Sequence, residues 1–368
     1  MTRSVDQPPA AFQPSPGFAV VRVSEESLVQ AAERLVSQGL RDRRTAAKRL
    51  IASAPEHGID LSAIWATVER PGSTAPPLAI RQACLAVPGS GATAMIFISE
   101  PMPGGEPGGP ESARTERIAL LRQVAAHFVE TRTPKVKILQ ALPDLADAWA
   151  ESAFRGAGFV YVGDLEYQRR AIAPVDLRGT KQEIAWPQGV RVVPLTTIAA
   201  SDRDATLLRV LEESYRDTLD CPELCGLRET ADILASHYAT GVFDPSIWYL
   251  VMHRESEGDV PRGCMLLSRV PEQRVLELVY IGLSPEVRGR GLGRRLLDLC
   301  VRNAAEARVD AVTCAVDCRN EPARRLYRDQ GFQGAGRRKA FVGRVTEVAR
   351  GADENRHHGS QSPTRGPL

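Results

Sequence analysis

One order of strands and helices occurs twice in this 368-residue chain. In each half, hydrophobic periodicity indicates a strand, a helix, three strand-like runs, a long helix, a strand and a short helix. Ala157-Gly158-Phe159 ends the short helix of the first half, and Gln330-Gly331-Phe332 follows 173 residues later. Since the repeat holds over at least two elements, it predicts a duplicated α/β unit rather than one large core.

Composition and turn residues suggest where the chain divides. Residues 1–16 and 346–368 lack apolar periodicity, so we expect disordered tails there. Residues 174–189 carry two prolines and two glycines with mixed charges, which is typical of an interdomain connection. The predicted domains are therefore residues 17–173 and 190–345.

Charge and cysteine usage exclude several classes of partner. With 47 basic and 45 acidic residues the net charge is +2, so no global field attracts nucleic acid. No apolar run is long enough for a membrane helix and the first residues lack a signal-peptide core, so we expect a cytoplasmic protein without a membrane partner. The seven cysteines include the pairs Cys221/Cys225 and Cys314/Cys318, each separated by three residues. Neither pair has a histidine or a further cysteine beside it at the spacing of a structural zinc site, so we expect free thiols and no metal.

A glycine-rich loop follows three strand-like runs in the second half. Gly289, Gly291 and Gly293 let backbone N–H groups approach a ligand, and the helix that follows adds its positive N-terminal end. Arginines crowd the same turn: Arg288, Arg290, Arg294 and Arg295. This arrangement suits a diphosphate. A Walker loop needs Gly-Lys-Ser/Thr, and a dinucleotide loop needs a parallel βαβ unit, so neither fits well; a solvated arginine-rich turn remains the alternative.

Two motifs in the second half resemble one enzyme family. Arg288-x-x-Gly291-x-Gly293 is similar to the Arg/Gln-x-x-Gly-x-Gly/Ala signature of the GNAT superfamily of N-acetyltransferases. The run from Asn320 to Phe332, with Leu326-Tyr327 inside it, resembles the second motif of the superfamily. The resemblance is specific over 247–342 and looser from 190 onward. It implies two tandem GNAT-like domains, each a mostly antiparallel twisted sheet flanked by helices.

The resemblance also implies acetyl-CoA as cosubstrate. The positions that it assigns to acetyl-CoA binding are Ile281, Gly282, Leu283, Arg288, Gly289, Arg290, Gly291, Leu292, Gly293, Arg294 and Asn320. The diphosphate would lie on the loop amides, the pantetheine arm would pair along Ile281-Gly282-Leu283, and Asn320 would also cap its helix. A backbone N–H near Ile281 would stabilise the tetrahedral oxyanion, a contribution of roughly 3 kcal/mol from comparable donors.

The implied chemistry is direct attack by an amine, without a cysteine nucleophile. Glu277 is the candidate base, because superfamily relatives with a similar strand use a glutamate there; a half-exposed surface glutamate is the alternative. The position at which other relatives carry a base is Ala315 here. Tyr327 matches the general acid that protonates the CoA thiolate, and a packed core tyrosine is the alternative.

The first half lacks both signatures. Its loop between Glu100 and Pro110 has prolines that remove N–H donors and glutamates that repel phosphate, and Phe154 stands where Tyr327 does. We therefore expect a degenerate GNAT-like domain, an arrangement similar to the mycothiol synthases. The expected acceptor is a small-molecule primary amine, with Asp217–Glu223 at its entrance and a protein or peptide amine as the alternative. A non-catalytic acyl-CoA sensor or scaffold is the rival function.

Overall fold

The computed structural model describes residues 17–69, 79–131, 135–179 and 183–357. The first half of the chain contains β1 Phe18–Arg22, α1 Leu28–Leu35, α2 Arg43–Ser53, β2 Ile64–Glu69, β3 Ile80–Gly89, β4 Thr93–Ile98, α3 Gly109–Thr131, β5 Ile138–Ala141, α4 Ala148–Ala157 and β6 Val160–Ala171. The second half contains α5 Pro174–Gly179, β7 Val190–Pro194, α6 Arg203–Tyr215, α7 Thr230–Tyr238, β8 Trp248–Glu255, β9 Gly258–Val270, β10 Val275–Leu283, α8 Leu292–Glu306, β11 Ala311–Asp317, α9 Glu321–Asp329, β12 Gln333–Arg344 and α10 Val345–His357.

The repeated order of elements is confirmed. The series from β1 to β6 and the series from β7 to β12 both run β-α-α-β-β-β-α-β-α-β. The last three elements of each series, β5/β11, α4/α9 and β6/β12, begin 173 residues apart. At the end of each short helix the backbone turns left-handed at a glycine, with φ of 97° at Gly158 and 80° at Gly331. A side chain with a Cβ is strained in that conformation, which explains the matched glycines.

Contacts group the chain into two compact units. The smaller unit comprises the described parts of Met1–Ala86, Phe97–His127 and Glu347–Leu368, and the larger comprises those of Val87–Ile96 and Phe128–Thr346. The division thus falls elsewhere than at 174–189, where we expected a connection. The reason is that β6 pairs with both β11 and β12, so the last elements of the first half belong to the larger unit.

The larger unit is built on one sheet. Its strands follow the order β4-β5-β12-β6-β11-β10-β9-β8-β7. The pairs β4/β5 and β10/β11 are parallel, and the other pairings within this unit are antiparallel. The predicted mixed fold with a mostly antiparallel sheet is therefore confirmed. Helix α8 covers the sheet with an apolar stripe, in which Leu296, Leu297 and Cys300 are fully buried.

The smaller unit contains the antiparallel strands β1, β2 and β3, with α1, α2 and most of α3. Helix α2 was not predicted from the sequence, because it has a weak apolar stripe and Ala47 is its buried residue. Asp42 starts this helix by accepting a hydrogen bond from the N–H of Thr45, with 2.9 Å between donor and acceptor. Among the described residues, no helix combines the length and the apolar character that crossing a bilayer requires.

The ends and the middle of the chain differ in part from the sequence-based prediction. Residues 346–357 were expected in a disordered tail, but they belong to α10, where Val345 and Val348 are buried. Two valines three residues apart are too short a pattern to indicate a helix from sequence. The other predicted tail residues, 1–16 and 358–368, lie outside the described residues. The connection 174–189 includes α5, and its residues 180–182 also lie outside.

Phe341 on β12 provides a test of this packing. Its side chain is fully buried, with the rings of Phe154 and Tyr161 each 5.6 Å away between centroids. Phe341→Ala leaves a cavity, so we expect the free energy of unfolding to fall by about 3–5 kcal/mol in a urea titration followed by circular dichroism. Val160→Ala, at a side chain that is 48% exposed, should change it by less than about 0.5 kcal/mol. Equal losses in the two variants would contradict this account of the packing.

Candidate active site

A cleft opens where two parallel strands separate. Strands β10 and β11 pair only over Val275–Glu277 and Ala311–Thr313, and then diverge. Strand β10 continues beside β9, with a bulge at Val279 that redirects the strand. The resulting cleft has a volume of about 510 Å³ and is lined by residues of β10, β11, α9 and the loops beside them. Ligand sites of enzymes commonly have this size.

Several residues assigned to acetyl-CoA from the sequence line this cleft. They are Ile281, Gly282, Leu283, Arg288, Gly289, Gly293 and Asn320. Arg290, Gly291, Leu292 and Arg294 belong to the same loop and the start of α8 but are not part of its lining. Arg290 and Arg294 are exposed, and Arg290 contacts the imidazole Nε2 of His253 at 3.0 Å.

The glycine loop has the backbone geometry expected of an anion site. Gly289 and Gly291 have φ of 74° and 72°, and Gly291 caps the N-terminus of α8. The space around both glycines is open, since a Cβ there would meet no atom within 4 Å. Gly293 has a different role, because a Cβ there would lie 2.9 Å from Leu326 Cδ2. A larger residue at 293 would require Leu326 to move where α8 approaches α9.

The guanidinium group of Arg288 is engaged by backbone carbonyl groups. Its Nε donates to Leu283 O at 2.9 Å, and its Nη2 donates to Ser214 O at 2.9 Å and Arg216 O at 2.7 Å. Its Nη1 donates to Asp217 O at 3.2 Å. Arg288 thus ties the end of α6 and the following loop to the end of β10. A direct contact with phosphate would have to replace part of this network.

Tyr327 on α9 lies at the cleft wall. Its side chain is 5% exposed, and its ring packs on Phe332 with 5.3 Å between centroids. Its hydroxyl interacts with the Cys314 thiol. Burial raises the tyrosine pKa well above its usual value, so the phenol stays protonated at neutral pH. Tyr327 therefore packs against the core and also forms part of the cleft wall, so the two alternatives derived from the sequence do not exclude each other.

Asn320 begins the helix that carries Tyr327. Its side-chain Oδ1 accepts a hydrogen bond from Ala323 N at 3.3 Å, as the predicted N-cap requires. Its side chain also bonds to Asp220. Desolvation raises the pKa of the Asp220 carboxyl, while bonds from the Asp317 N–H and from Asn320 act against that change. The residue that starts α9 therefore also holds the loop after α6.

Glu277 lies just before the point where β10 and β11 separate. It is half-buried and is not part of the cleft lining. Within the described residues its carboxylate has no ion-pair partner, and burial raises its pKa. A carboxylate with a raised pKa is a better proton acceptor near neutral pH than an ordinary one. The structure thus brings Tyr327 and the loop to one cleft and places Glu277 at the edge of that cleft.

Comparison with known proteins identifies the family of this region. Residues 211–332 match the model of the acetyltransferase (GNAT) family. The second half of the chain contains a GNAT domain. The mycothiol acetyltransferase of Beutenbergia cavernae is 37% identical over 90 residues, 24% of this chain and 29% of that protein. The one from Mycobacterium marinum is 28% identical over 198 residues, 50% of this chain and 58% of that protein. These matches span from about a third to just over half of the relatives' length.

The chain is also similar to solved structures. A GCN5-related N-acetyltransferase from Sphaerobacter thermophilus aligns over 90% of this chain and 96% of its own, with 16% identity and a TM-score of 0.49. A tandem GNAT protein from the clavulanic acid biosynthesis pathway aligns over 89% of this chain and 98% of its own, with 15% identity and a TM-score of 0.43.

The GNAT domain depends on an ionic clamp that sequence reasoning missed. Asp317, at the end of β11, is fully buried and accepts hydrogen bonds from Cys221 N at 3.1 Å and Arg319 N at 2.7 Å. The Arg319 guanidinium bonds to Asp317, to Glu223 and to the carbonyl of Val162. Glu223 therefore does not offer a free negative charge to an acceptor. The only signal in the sequence was two opposite charges around Cys318, directly before the Asn320 motif.

In the corresponding loop of the first half, a carboxylate of the chain pairs with the nearby arginines. Glu106 is nearly buried, and its carboxylate accepts from Arg117 Nη2 at 2.6 Å and Gln82 Nε2 at 2.8 Å, with Arg34 at 3.8 Å. Arg117 of α3 and Arg34 of α1 are therefore both close to a carboxylate that the loop itself supplies. Phe154, at the position equivalent to Tyr327, is buried and packs on Phe159 with 5.1 Å between centroids.

The clamp at Asp317 yields a prediction of pH-dependent stability. Burial opposes ionisation of this carboxyl, but its hydrogen bonds, chiefly with Arg319, outweigh burial and hold its pKa below the usual value. The stabilisation is therefore present above the pKa of the unfolded chain and is lost as pH falls through the lower folded value. Asp317→Asn should lower the free energy of unfolding by about 2 kcal/mol at pH 7, with a smaller difference below about pH 4.

Asp310→Asn is the matched control. Asp310 also forms two bonds to an arginine, at 2.9 and 3.0 Å to Arg274, but both side chains are exposed. An exposed pair contributes less than about 1 kcal/mol. Urea unfolding of both variants at several pH values measures the difference. The proposed role of Asp317 would be contradicted if Asp317→Asn lowered the free energy of unfolding by no more than Asp310→Asn, or if its effect did not change with pH.

Proposed function

We propose that this chain is an acetyl-CoA-dependent N-acetyltransferase that acts on a small-molecule primary amine. The observation that carries the proposal is the cleft between β10 and β11, which has the glycine loop at one end and Tyr327 in its wall. Membership of the second half in the GNAT family supports the activity. The name of the mycothiol acetyltransferases supports a small-molecule acceptor over a protein or peptide amine.

In this proposal the cleft binds acetyl-CoA in two parts. The diphosphate binds to backbone amides of Gly289–Arg294 at the start of α8, where the helix dipole favours negative charge. The pantetheine arm pairs along Ile281–Leu283 in the space left by the separation of β11. Arg288 contributes by holding this strand end and the loop after α6 in place rather than by contacting phosphate. Arg290 and Arg294 remain exposed cations for the phosphates.

The chemical step moves an acetyl group and two protons. The acceptor nitrogen loses a proton to Glu277, directly or through water, and attacks the thioester carbonyl carbon. A backbone N–H near Ile281 stabilises the oxyanion of the tetrahedral intermediate. The C–S bond then breaks, and Tyr327 donates its proton to the departing thiolate. The nitrogen gives up its second proton to the Tyr327 oxygen, directly or through water, and the proton on Glu277 leaves to solvent, so both side chains return to their starting forms. Burial raises the pKa of the Glu277 carboxyl, which supports its role as the base, and the place of Tyr327 in the cleft wall supports its role as the acid.

Coenzyme A binding tests the loop separately from catalysis. Gly291→Ala places a methyl group at φ of 72° in the proposed phosphate site, and we expect CoA affinity to fall at least tenfold in isothermal titration calorimetry. Gly226→Ala is the matched control, since Gly226 has φ of 77° and is also surrounded by open space. Both variants carry a similar backbone strain of roughly 1–2 kcal/mol, but the control should bind CoA normally. We expect one CoA per chain; a stoichiometry of two would contradict the degenerate first half.

Thiol release from acetyl-CoA tests the chemistry. With a panel of amines, aminosugars and peptides, we expect at least one small amine to stimulate release, about 10²-fold less in Glu277→Gln and in Tyr327→Phe. Activity of the wild-type chain should fall at acid pH as the Glu277 carboxyl becomes protonated, with an acid limb that Glu277→Gln lacks. CoA binding without release for any acceptor would favour the sensor function, and release with peptides alone would favour the protein substrate.

A further inference from the structure

Strand β6 brings a residue of the first half of the chain next to the site of the second half. It pairs antiparallel with β11, and in this register Tyr167 lies directly opposite Ala315. Side chains of directly opposed residues in an antiparallel pair project from the same face, with Cβ atoms about 5 Å apart. Tyr167 and Ala315 therefore share one face of the sheet.

Glu277 belongs to the same face. It pairs with Thr313 in the short parallel ladder between β10 and β11. Thr313 and Ala315 are two residues apart on one strand, so their side chains point in the same direction. Glu277 and Tyr167 thus flank the β11 strand from opposite sides, on the face that Ala315 presents.

Ala315 connects this face with the cleft. It is exposed, and it forms part of the wall of the cleft proposed for acetyl-CoA. In these registers Thr313 lies between Glu277 and Arg169 of β6, and the small side chain of Ala315 lies next to Tyr167. Glu277 and Tyr167 are therefore diagonal neighbours across β11, close enough for the Glu277 charge to act on the Tyr167 phenol.

The surroundings of Tyr167 keep its hydroxyl protonated. The residue is half-buried, and burial raises the phenol pKa; Glu277 acts in the same direction and the cation of Arg338 in the opposite one. Arg338 comes from β12, on the other side of β6, and forms an ion pair with Asp144. A neutral phenol beside a proton-accepting carboxylate can donate a hydrogen bond to a substrate that approaches between them.

We propose that Tyr167 is part of the acceptor site and donates a hydrogen bond to an oxygen atom close to the amine that Glu277 deprotonates. The acceptor class that this arrangement selects is a primary amine with a carbonyl or hydroxyl oxygen one or two carbon atoms away. The inference rests on the proposed function. It also gives the first half of the chain a role in substrate recognition, because Tyr167 reaches the site only through the pairing of β6.

Two probe amines test the specificity. Glycinamide carries a carbonyl oxygen next to its amine-bearing carbon, and propylamine has a similar size without that oxygen. In the wild-type chain, kcat/KM for glycinamide should exceed that for propylamine. Tyr167→Phe should reduce glycinamide turnover about five- to tenfold, mainly through KM, with propylamine turnover and the KM of acetyl-CoA unchanged within twofold. A reduction that is equal for both amines, or no reduction, would overturn the inference.

Tyr161→Phe is the matched control on the same strand. The Tyr161 hydroxyl bonds to Asp164 at 2.7 Å and its ring packs on Phe341, so it already has internal partners. This variant should leave the preference between the two amines unchanged. Phenylalanine keeps the tyrosine ring at both positions, and thermal unfolding of the two variants checks that the fold is retained.

A measurement without turnover separates this inference from the proposed function. Carbon-13 NMR of the glutamate carboxyl carbons, with Glu277 assigned from Glu277→Gln, gives the titration midpoint of that residue. Loss of the neighbouring phenol dipole in Tyr167→Phe should raise the midpoint by about 0.3 pH units or more, and Tyr161→Phe should not change it. If the wild-type chain acetylates no amine of the wider panel, the proposed function fails, whereas an unchanged midpoint overturns the placement of Tyr167 beside Glu277.

Discussion

The larger unit depends on one strand that is paired on both edges. Strand β6 comes from the first half of the chain, yet its neighbours β11 and β12 come from the second. Without β6 both would lose a complete ladder of hydrogen bonds, and unpaired backbone groups in a buried strand are costly. Side-chain packing fits this insertion closely, since a Cβ at Gly163 would lie 2.9 Å from atoms of Asp317 and Arg319. The second half therefore cannot complete its sheet alone.

The same strand fixes the helix that carries the proposed acid. The nearly buried Glu166 carboxylate on β6 accepts from Arg324 of α9 at 3.0 Å and from Arg337 of β12 at 2.7 Å. Arg170 Nε, on the same strand, donates to Gln330 O at the end of α9. These bonds hold both ends of α9 and so determine where Tyr327 meets the cleft. The site is thus built from both halves of the sequence, although its motifs lie in one.

Local signals in the sequence predicted elements well and long-range pairing poorly. The repeated order of strands and helices and the helix ends at Gly158 and Gly331 could be predicted, because apolar periodicity and turn residues act within a few positions. The glycine loop and the Asn320 cap could be predicted for the same reason, since both are properties of the local backbone. The insertion of β6 could not, because alternation of apolar residues defines a strand without defining its neighbour. Three features follow from this long-range pairing and could not be predicted from the sequence: the division into compact units, the Asp317 clamp and the position of Tyr167 beside Ala315.

The two glycine-containing loops differ in how the charges around them are compensated. Both halves retain a short parallel ladder, β4/β5 and β10/β11, that ends after three residue pairs. In the first half, the loop after β4 supplies Glu106, so the nearby arginines are neutralised within the chain. In the second half, Arg288 turns inward to carbonyl groups, while glycines with positive φ leave the start of α8 open. Internal carboxylates thus compensate the arginines near the loop of the first half, whereas the start of α8 in the second half is left open to an external anion.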